Sequence, residues 1–273
     1  MSVGNLDIGR VTALLKRAVA ELVLPSFRRL GPGDVERKLT PGLAEDVVSR
    51  VDREVEAWLT PELAALVPGS AVIGEEAAHA DPGLLSRLHS AHWLWLIDPI
   101  DGTRGFVDGT DHFGVMIALL ERGQTRAAWI DLPVREQTFV AELGSGTYRN
   151  GERLRLGARD TRCAPRGSLY TTFMTAELRS KLQAWPPERF TVGEPSGCAA
   201  VEYTNLAQGH KDFVVYHRLL PWDHAPGALV LSEAGGSCLH LDGSVYTATS
   251  RDQVTVCAGA DRVSALVRQW LLA

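Results

Sequence analysis

The chain has 273 residues, 45% of them hydrophobic, with 28 Lys and Arg against 33 Asp and Glu for a net charge of −5. That balance excludes disordered and fibrous classes, and a net negative charge gives no global field to hold nucleic acid. A chain this long sits where one core begins to divide, so one unit of two packed halves is expected, 1–164 and 165–273.

In chain order, apolar positions at helical spacing from Ile8 to Phe27 predict a first helix, stopped by Gly31-Pro32-Gly33. A second helix is expected from Glu45 to Leu59, with Val48, Val51, Val55 and Leu59 on one face and Asp52 near that face. A carboxylate there needs a partner, and capping or pairing with a base is the plain reading. Ala71-Val72-Ile73, ended by Gly74-Glu75-Glu76, and Trp93 to Ile97, ended by Asp98, read as buried strands delivering acids.

Further strands are expected at Phe113 to Leu120, Thr125 to Asp131 and Gln137 to Ala141, then a hairpin turning at Asn150-Gly151. The first half is therefore α+β with a mainly antiparallel sheet. After Pro165 the pattern alternates: strands near Leu169, at Phe213 to Tyr216 and at Cys238 to Leu241, and helices at Ala199 to Ala207, Asp223 to Ala234 and Arg262 to Leu272. This half reads as α/β.

Cys163, Cys198, Cys238 and Cys257 lie far apart without metal-ligand spacing, which suits reduced thiols and a cytoplasmic chain. The first residues show no signal-peptide pattern, and no stretch approaches the roughly 18 apolar residues of a membrane span. Six arginines, Arg149, Arg153, Arg155, Arg159, Arg162 and Arg166, form the one basic concentration. It reads as a solvated surface or, more sharply, as a collar for an anionic substrate or a neighbouring subunit.

The most informative segment is Asp98-Pro99-Ile100-Asp101-Gly102-Thr103. Two carboxylates that converge without a cation repel, and one is forced to stay protonated. Oxygen ligands without nearby His or Cys favour a hard ion, Mg²⁺ before Mn²⁺, and Mg²⁺ is commonly paired with phosphate. Backbone N–H groups at Gly102 and Thr103 suit a phosphate oxygen. An Asx-turn with a helix cap explains Asp98 and Asp101 equally well in isolation. It does not explain Glu75, Asp52 and a helix-opening Asp223 as well.

Gly74-Glu-Glu76, Asp98-Pro-Ile-Asp-Gly-Thr103 and Trp222-Asp-x-Ala-x-Gly227 with Glu233-Ala-Gly-Gly236 resemble, in order and spacing, the inositol monophosphatase-like family of metal-dependent, lithium-sensitive phosphatases. Lys38 and the Asn150-Gly151 hairpin look similar to family features as well. The resemblance implies a layered αβαβα sandwich of the inositol monophosphatase/fructose-1,6-bisphosphatase type, a homodimer, and hydrolysis of small phosphomonoesters with two or three Mg²⁺ ions. Glu75, Asp98 and the Ile100 carbonyl would hold one ion. Asp98, Asp101 and Asp223 would hold a second, with Asp52 and Glu75 supporting a third. Thr103 would bond the attacking water and Glu75 would take its proton.

Substrate contacts are expected from Asp101, Gly102, Thr103, Asp223, Cys198 and Ala199, and from His217 and Arg218 on the leaving-group side. Val215-Tyr216-His217-Arg218 stands where relatives place an inositol-reading Glu, so the leaving group stays open among inositol, a sugar bisphosphate, histidinol phosphate and 3′-phosphoadenosine 5′-phosphate. His224 reads as a helix-surface residue or a support behind the ligands. Pro226 is expected in a first helical turn.

Two rivals remain. A haloacid-dehalogenase-type phosphotransferase needs its acids two residues apart, whereas Asp98 and Asp101 are three apart. A phosphatase-like scaffold that binds a macromolecular partner would have no need of the intact acid set.

Overall fold

A computed structural model describes residues 6–38, 46–157, 163–183, 185 and 188–273. Asp7 caps helix α1 (Ile8–Ala18) by accepting from the Arg10 N–H at 3.1 Å. The helix widens into a π turn, Val19–Val23, before the short α2 (Leu24–Ser26). Pro25 follows that turn, where a regular register would need an N–H that proline lacks.

The expected second helix proves shorter at its start. Asp46–Ser49 is strand β2, paired antiparallel with β1 (Val35–Lys38), and helix α3 is Arg50–Leu66. Ser49 and Asp52 form a reciprocal capping box, which resets the start of α3. Glu45 lies outside the described residues.

The first large sheet is formed by β3 (Ala71–Gly74), β4 (Trp93–Asp101), β5 (Gly114–Glu121), β6 (Gln124–Leu132), β7 (Gln137–Glu142), β8 (Gly146–Arg149) and β9 (Glu152–Leu154), in that order. Only β3 with β4 is parallel; the remaining pairs are antiparallel. Asn150 at φ 51° and Gly151 at φ 84° make the two-residue turn that matches strand twist. Short helices α4 (Glu75–Ala80) and α5 (Arg87–Ser90) connect β3 to β4, and α6 (Thr103–Val107) follows β4.

The second sheet has the order β11-β10-β12-β14-β13, from β10 (Arg166–Leu169), β11 (Thr191–Gly193), β12 (Phe213–Tyr216), β13 (Ser237–His240) and β14 (Thr255–Ala258). Its helices are α7 (Ala176–Gln183), α8 (Ala199–Ala207), α9 (Pro221–Ala234) and α10 (Asp261–Leu272). Three of these, β11, β14 and α7, are additions to the expected pattern.

The layers follow from which side chains share a core. Val11, Leu15, Val51 and Val55 of α1 and α3 pack on Trp95, Ile97 and Trp129 of the first sheet. That sheet's other face, through Met116, Ala128 and Ile130, meets α8 and α9, which also cover Val214 and Cys257 of the second sheet. Val263 and Val267 of α10 close the far side against Phe213 and Val256. The result is the expected αβαβα sandwich. Among the described residues no helix is long and apolar enough to cross a membrane.

Candidate active site

The expectation that the strand ends at Asp98 is corrected: β4 continues through Pro99 to Asp101. Asp98 pairs with Met116 and Asp101 with Gly114, three steps on one strand against two on the other, so one extra residue is bulged out. Side chains three apart on a regular strand face opposite ways. The bulge reverses that, as Ile97 and Ile100 show by sharing one core beneath α1 and α3. Asp98 and Asp101 are thereby turned to the opposite face, where Leu94 and Leu96 pack with Trp222, the neighbour of Asp223.

Each acid has its own surroundings. The Cys198 thiol and the Ala200 N–H donate to Asp101 Oδ2 at 2.8 and 2.6 Å. Asp52 Oδ2 accepts from Ser49 N–H and Oγ at 2.9 and 2.6 Å, and its Oδ1 lies 2.9 Å from Thr103 Oγ1. Thr103 Oγ1 is also 3.0 Å from the Ile100 carbonyl, so its single proton has two acceptors. Lys38 donates to Glu75 at 3.1 Å and to Glu76. Buried Glu56 fixes α4 by accepting from the Glu76 and Ala77 N–H groups at 2.8 and 2.9 Å. Asp98 Oδ1 is buried without a hydrogen-bond partner.

Burial dominates the protonation of the group. It raises Glu75 to about 7 and Asp52 to about 6. Burial, then repulsion from neighbouring carboxylates, holds Asp98 and Asp223 well above the usual carboxylate range and raises Asp101. Burial alone would lower Lys38, but Glu75 and Glu76 outweigh it and raise its pKa.

Acids that repel one another, with an unpartnered buried oxygen and oxygen donors only, fit a hard divalent cation. Among the described residues no three acid, His or Cys side chains already close into a cage. Existing hydrogen bonds hold Asp52, Asp101 and Glu75 separately.

Glu75, Asp98, Ile100, Asp101, Gly102, Thr103, Ala199, His217, Arg218 and Asp223 all line one cavity of about 910 Å³. Two predicted residues stand behind its wall. Asp52, fully buried, reaches the site through Thr103. Cys198, expected at the substrate, is 1% exposed and braces Asp101 from behind.

Other expectations change as well. His224 is buried, not on a helix surface; its Nδ1 is 2.9 Å from Tyr203 OH and its Nε2 3.1 Å from the Arg218 carbonyl. The carbonyl can only accept, so Nε2 carries the proton and Nδ1 accepts from Tyr203. Burial lowers this imidazole to about 3. Pro226 lies beyond the first turn, because α9 already begins at Pro221. None of the described arginines of the basic concentration lines the cavity, and Arg159 and Arg162 lie outside the described residues.

Sequence reasoning missed Glu202. It is fully buried and accepts from Lys211 Nζ at 2.5 Å and the Ser196 N–H at 2.8 Å. Tyr170 OH lies 3.4 Å from Glu202 and accepts from the Gly197 N–H at 3.1 Å. This network holds the turn that carries Cys198. A Glu and a Lys nine residues apart, on either side of a helix end, give no local signal.

A sequence-family model described as "Inositol monophosphatase family" matches residues 9–269. The chain is 30% identical over 240 residues to the Thermotoga maritima protein named fructose-1,6-bisphosphatase/inositol-1-monophosphatase, covering 87% of this chain and 86% of that one. It is 33% identical to the Pseudomonas aeruginosa protein named Nus factor SuhB, covering 84% and 83%. Among solved structures, a Thermotoga maritima IMPase superposes with a TM-score of 0.77 at 26% identity, covering 96% and 95%. An inositol monophosphatase from Zymomonas mobilis gives 0.78 at 23% identity over the whole of both chains, a likeness of fold.

Proposed function

The chain belongs to the inositol monophosphatase family, and on that premise we propose that it hydrolyses small phosphomonoesters with Mg²⁺. The observation that carries this reading is the bulge that turns Asp98 and Asp101 to one face, toward the helix bearing Asp223. Glu75, Asp98 and the Ile100 carbonyl would hold one ion, and Asp98, Asp101 and Asp223 a second, with Asp52 and Glu75 supporting a third. When bound, the cation supplies the positive charge that makes water a stronger nucleophile at neutral pH and eases departure of the alcohol oxygen.

The chain's own groups do the rest. The Thr103 hydroxyl donates its hydrogen bond to Asp52 or the Ile100 carbonyl, which leaves its oxygen lone pairs free to orient the attacking water. Glu75 takes that water's proton. Backbone N–H groups of Gly102 and Thr103 hold phosphate oxygens, and Ala199 borders the phosphate. Gly102 at φ 76° supplies a left-handed turn, and a Cβ there would come within 2.5 Å of the His112 carbonyl. In the same reading the protein is a cytoplasmic homodimer; the buried free thiols Cys198, Cys238 and Cys257 suit a reducing compartment.

The test is phosphate release from inositol 1-phosphate, fructose 1,6-bisphosphate, histidinol phosphate and 3′-phosphoadenosine 5′-phosphate, with and without Mg²⁺, with an Asp98→Asn variant and a lithium titration. The expected result is Mg²⁺-dependent release that the variant loses. No release by folded protein that binds Mg²⁺ calorimetrically would overturn the reading in favour of the scaffold, a role in line with the name of the SuhB relative.

A further inference from the structure

Two of the acids stand on different elements, Asp101 at the end of β4 and Asp223 in the first turn of α9. No single strand or helix sets their spacing. Asp101 is held by the start of α8, where the Ala200 N–H and the Cys198 thiol bond its Oδ2 at 2.6 and 2.8 Å. The distance from Asp101 to Asp223 therefore depends on how α8 is joined to α9.

Where these helices cross, Tyr203 of α8 meets His224 of α9. Tyr203 OH lies 2.9 Å from His224 Nδ1, and His224 Nε2 lies 3.1 Å from the Arg218 carbonyl. On the other side, Cys257 Sγ is 3.5 Å from Tyr203 OH. A carbonyl can only accept, which fixes every proton in the row: His224 donates to Arg218, Tyr203 to His224, and the Cys257 thiol to Tyr203. Tyr203 and His224 are 0% and 3% exposed, and at that depth successive hydrogen bonds strengthen one another while an unpaired member is costly.

Two further features tie this row to the acids. Leu220, the residue before α9, supplies no side-chain cap. The grip of His224 on the Arg218 carbonyl secures the incoming chain to the helix instead. Gly227 brings the Tyr203 ring so close to α9 that a Cβ would meet it at 2.0 Å, which holds the phenol in place.

We propose that Tyr203 and His224 form a positioning pair that fixes Asp223 relative to Asp101 and thereby sets the affinity for a divalent cation, the cation site being that of the phosphatase reading. Neither residue is itself a ligand in this arrangement, because the phenol oxygen and both ring nitrogens are already bonded within the protein. Groups that orient metal-binding side chains from behind typically change affinity by about 10–100-fold when removed.

Calorimetric titration with Mg²⁺ in the absence of substrate tests the pair. Tyr203→Phe keeps the ring against Gly227 and removes only the hydroxyl; it is expected to weaken Mg²⁺ binding by about 10-fold or more. His224→Asn keeps an acceptor for Tyr203 at the place of Nδ1, whereas His224→Gln keeps only a donor for the Arg218 carbonyl at the place of Nε2. His224→Asn is expected to bind Mg²⁺ more tightly than His224→Gln. In Tyr203→Phe combined with His224→Gln the losses should not add, since either change breaks the same bond. Val267→Ala, a cavity beneath α10 away from both helices, lowers Tm and should leave Mg²⁺ affinity unchanged.

Mg²⁺ affinity unaltered in Tyr203→Phe overturns the proposal, as does an equal fall in Val267→Ala at the same loss of Tm. Losses that add in the double variant also overturn it, because they mean two separate packing effects. Weaker Mg²⁺ binding in Tyr203→Phe, by a protein whose native form releases no phosphate from any ester, would sink the phosphatase reading alone and leave the pair standing.

Discussion

Thr103 Oγ1 lies 2.9 Å from Asp52 Oδ1, joining the start of α6 to the capping box of α3 across 51 residues of sequence. Asp52 therefore has two roles, satisfying the Ser49 N–H at the helix start and accepting the Thr103 proton. Thr103→Val keeps the shape and removes the hydroxyl. It is expected to lower kcat by about 10²-fold or more, the scale of a lost proton-handling contact, and to lower Tm by several degrees, because buried Asp52 Oδ1 loses its donor. Thr103→Ser should retain most activity, and a Thr103→Val variant as active as the native protein would exclude this hydroxyl from the reaction.

Burial, then repulsion from the neighbouring carboxylates, pushes Asp98 well above the usual carboxylate range in the metal-free fold, so its ionisation is disfavoured there relative to the unfolded chain. Folding works against that ionisation. Asp98→Asn should therefore raise the metal-free melting temperature, by about 2–4 °C for each kcal/mol relieved in a chain of this size. The same variant should lose its response to Mg²⁺. Thermal scans with and without Mg²⁺ measure both effects, and a lower metal-free Tm would mean that Asp98 is already satisfied.

The acids also set a pH dependence. Glu75 at about 7 and Asp52 at about 6 are raised in the fold, so the folded state binds more protons than the unfolded one from about pH 4 to 7. Their contribution to metal-free stability is present below about pH 4 and fades as pH rises through 6 and 7. His224, lowered to about 3, acts in the opposite sense: its contribution is full above about pH 6.5 and is lost as pH falls toward 3. Cation binding requires ionised carboxylates. The Tm increment produced by Mg²⁺ should thus grow from pH 5 to pH 8, a difference in which the His224 contribution largely cancels. A pH-independent increment would show that the cation sits elsewhere.

Gly227 closes the Trp222-Asp-x-Ala-x-Gly motif for a reason of packing. A Cβ there would come within 2.0 Å of the Tyr203 ring, where α9 crosses α8. Gly227→Ala should cost about 1–3 kcal/mol by overpacking, read as a lower urea midpoint. Because Tyr203 also bonds His224, activity should fall further than the remaining folded fraction explains. An unaltered urea midpoint would mean that the ring has room to move.

The site was legible where chemistry is written in consecutive residues. Asp98 to Thr103 carries two acids, a proline and a glycine, and Trp222 to Gly227 an acid and a glycine at fixed spacing, whose joint occurrence has few other uses. Hydrophobic runs such as Trp93 to Ile97 likewise marked the first sheet. What escaped depends on distant or very short elements. β14 reads Thr255-Val-Cys-Ala258, a weaker apolar run than the equally short Phe213-Val-Val-Tyr216, and β2 looked helical because Val48 keeps the helical spacing of Val51 and Val55. Cys198 was misplaced because its position next to Ala199, which lines the cavity, says nothing about which way the thiol turns.

The bulge in β4 makes the acid pair a matter of parity. Six strand residues before it obey an even-odd rule that sorts leucines from tryptophans, and the single surplus residue inverts that rule just where the acids begin. Removing either Pro99 or Ile100 would leave both carboxylates in the sequence and the ladder more regular. With two steps against two the acids would still share a face; it is a register of three steps against three, Asp101 opposite Phe113 with nothing removed, that would send Asp101 through the sheet to the side occupied by Phe106 and Phe113, so better pairing and loss of the site would arrive together.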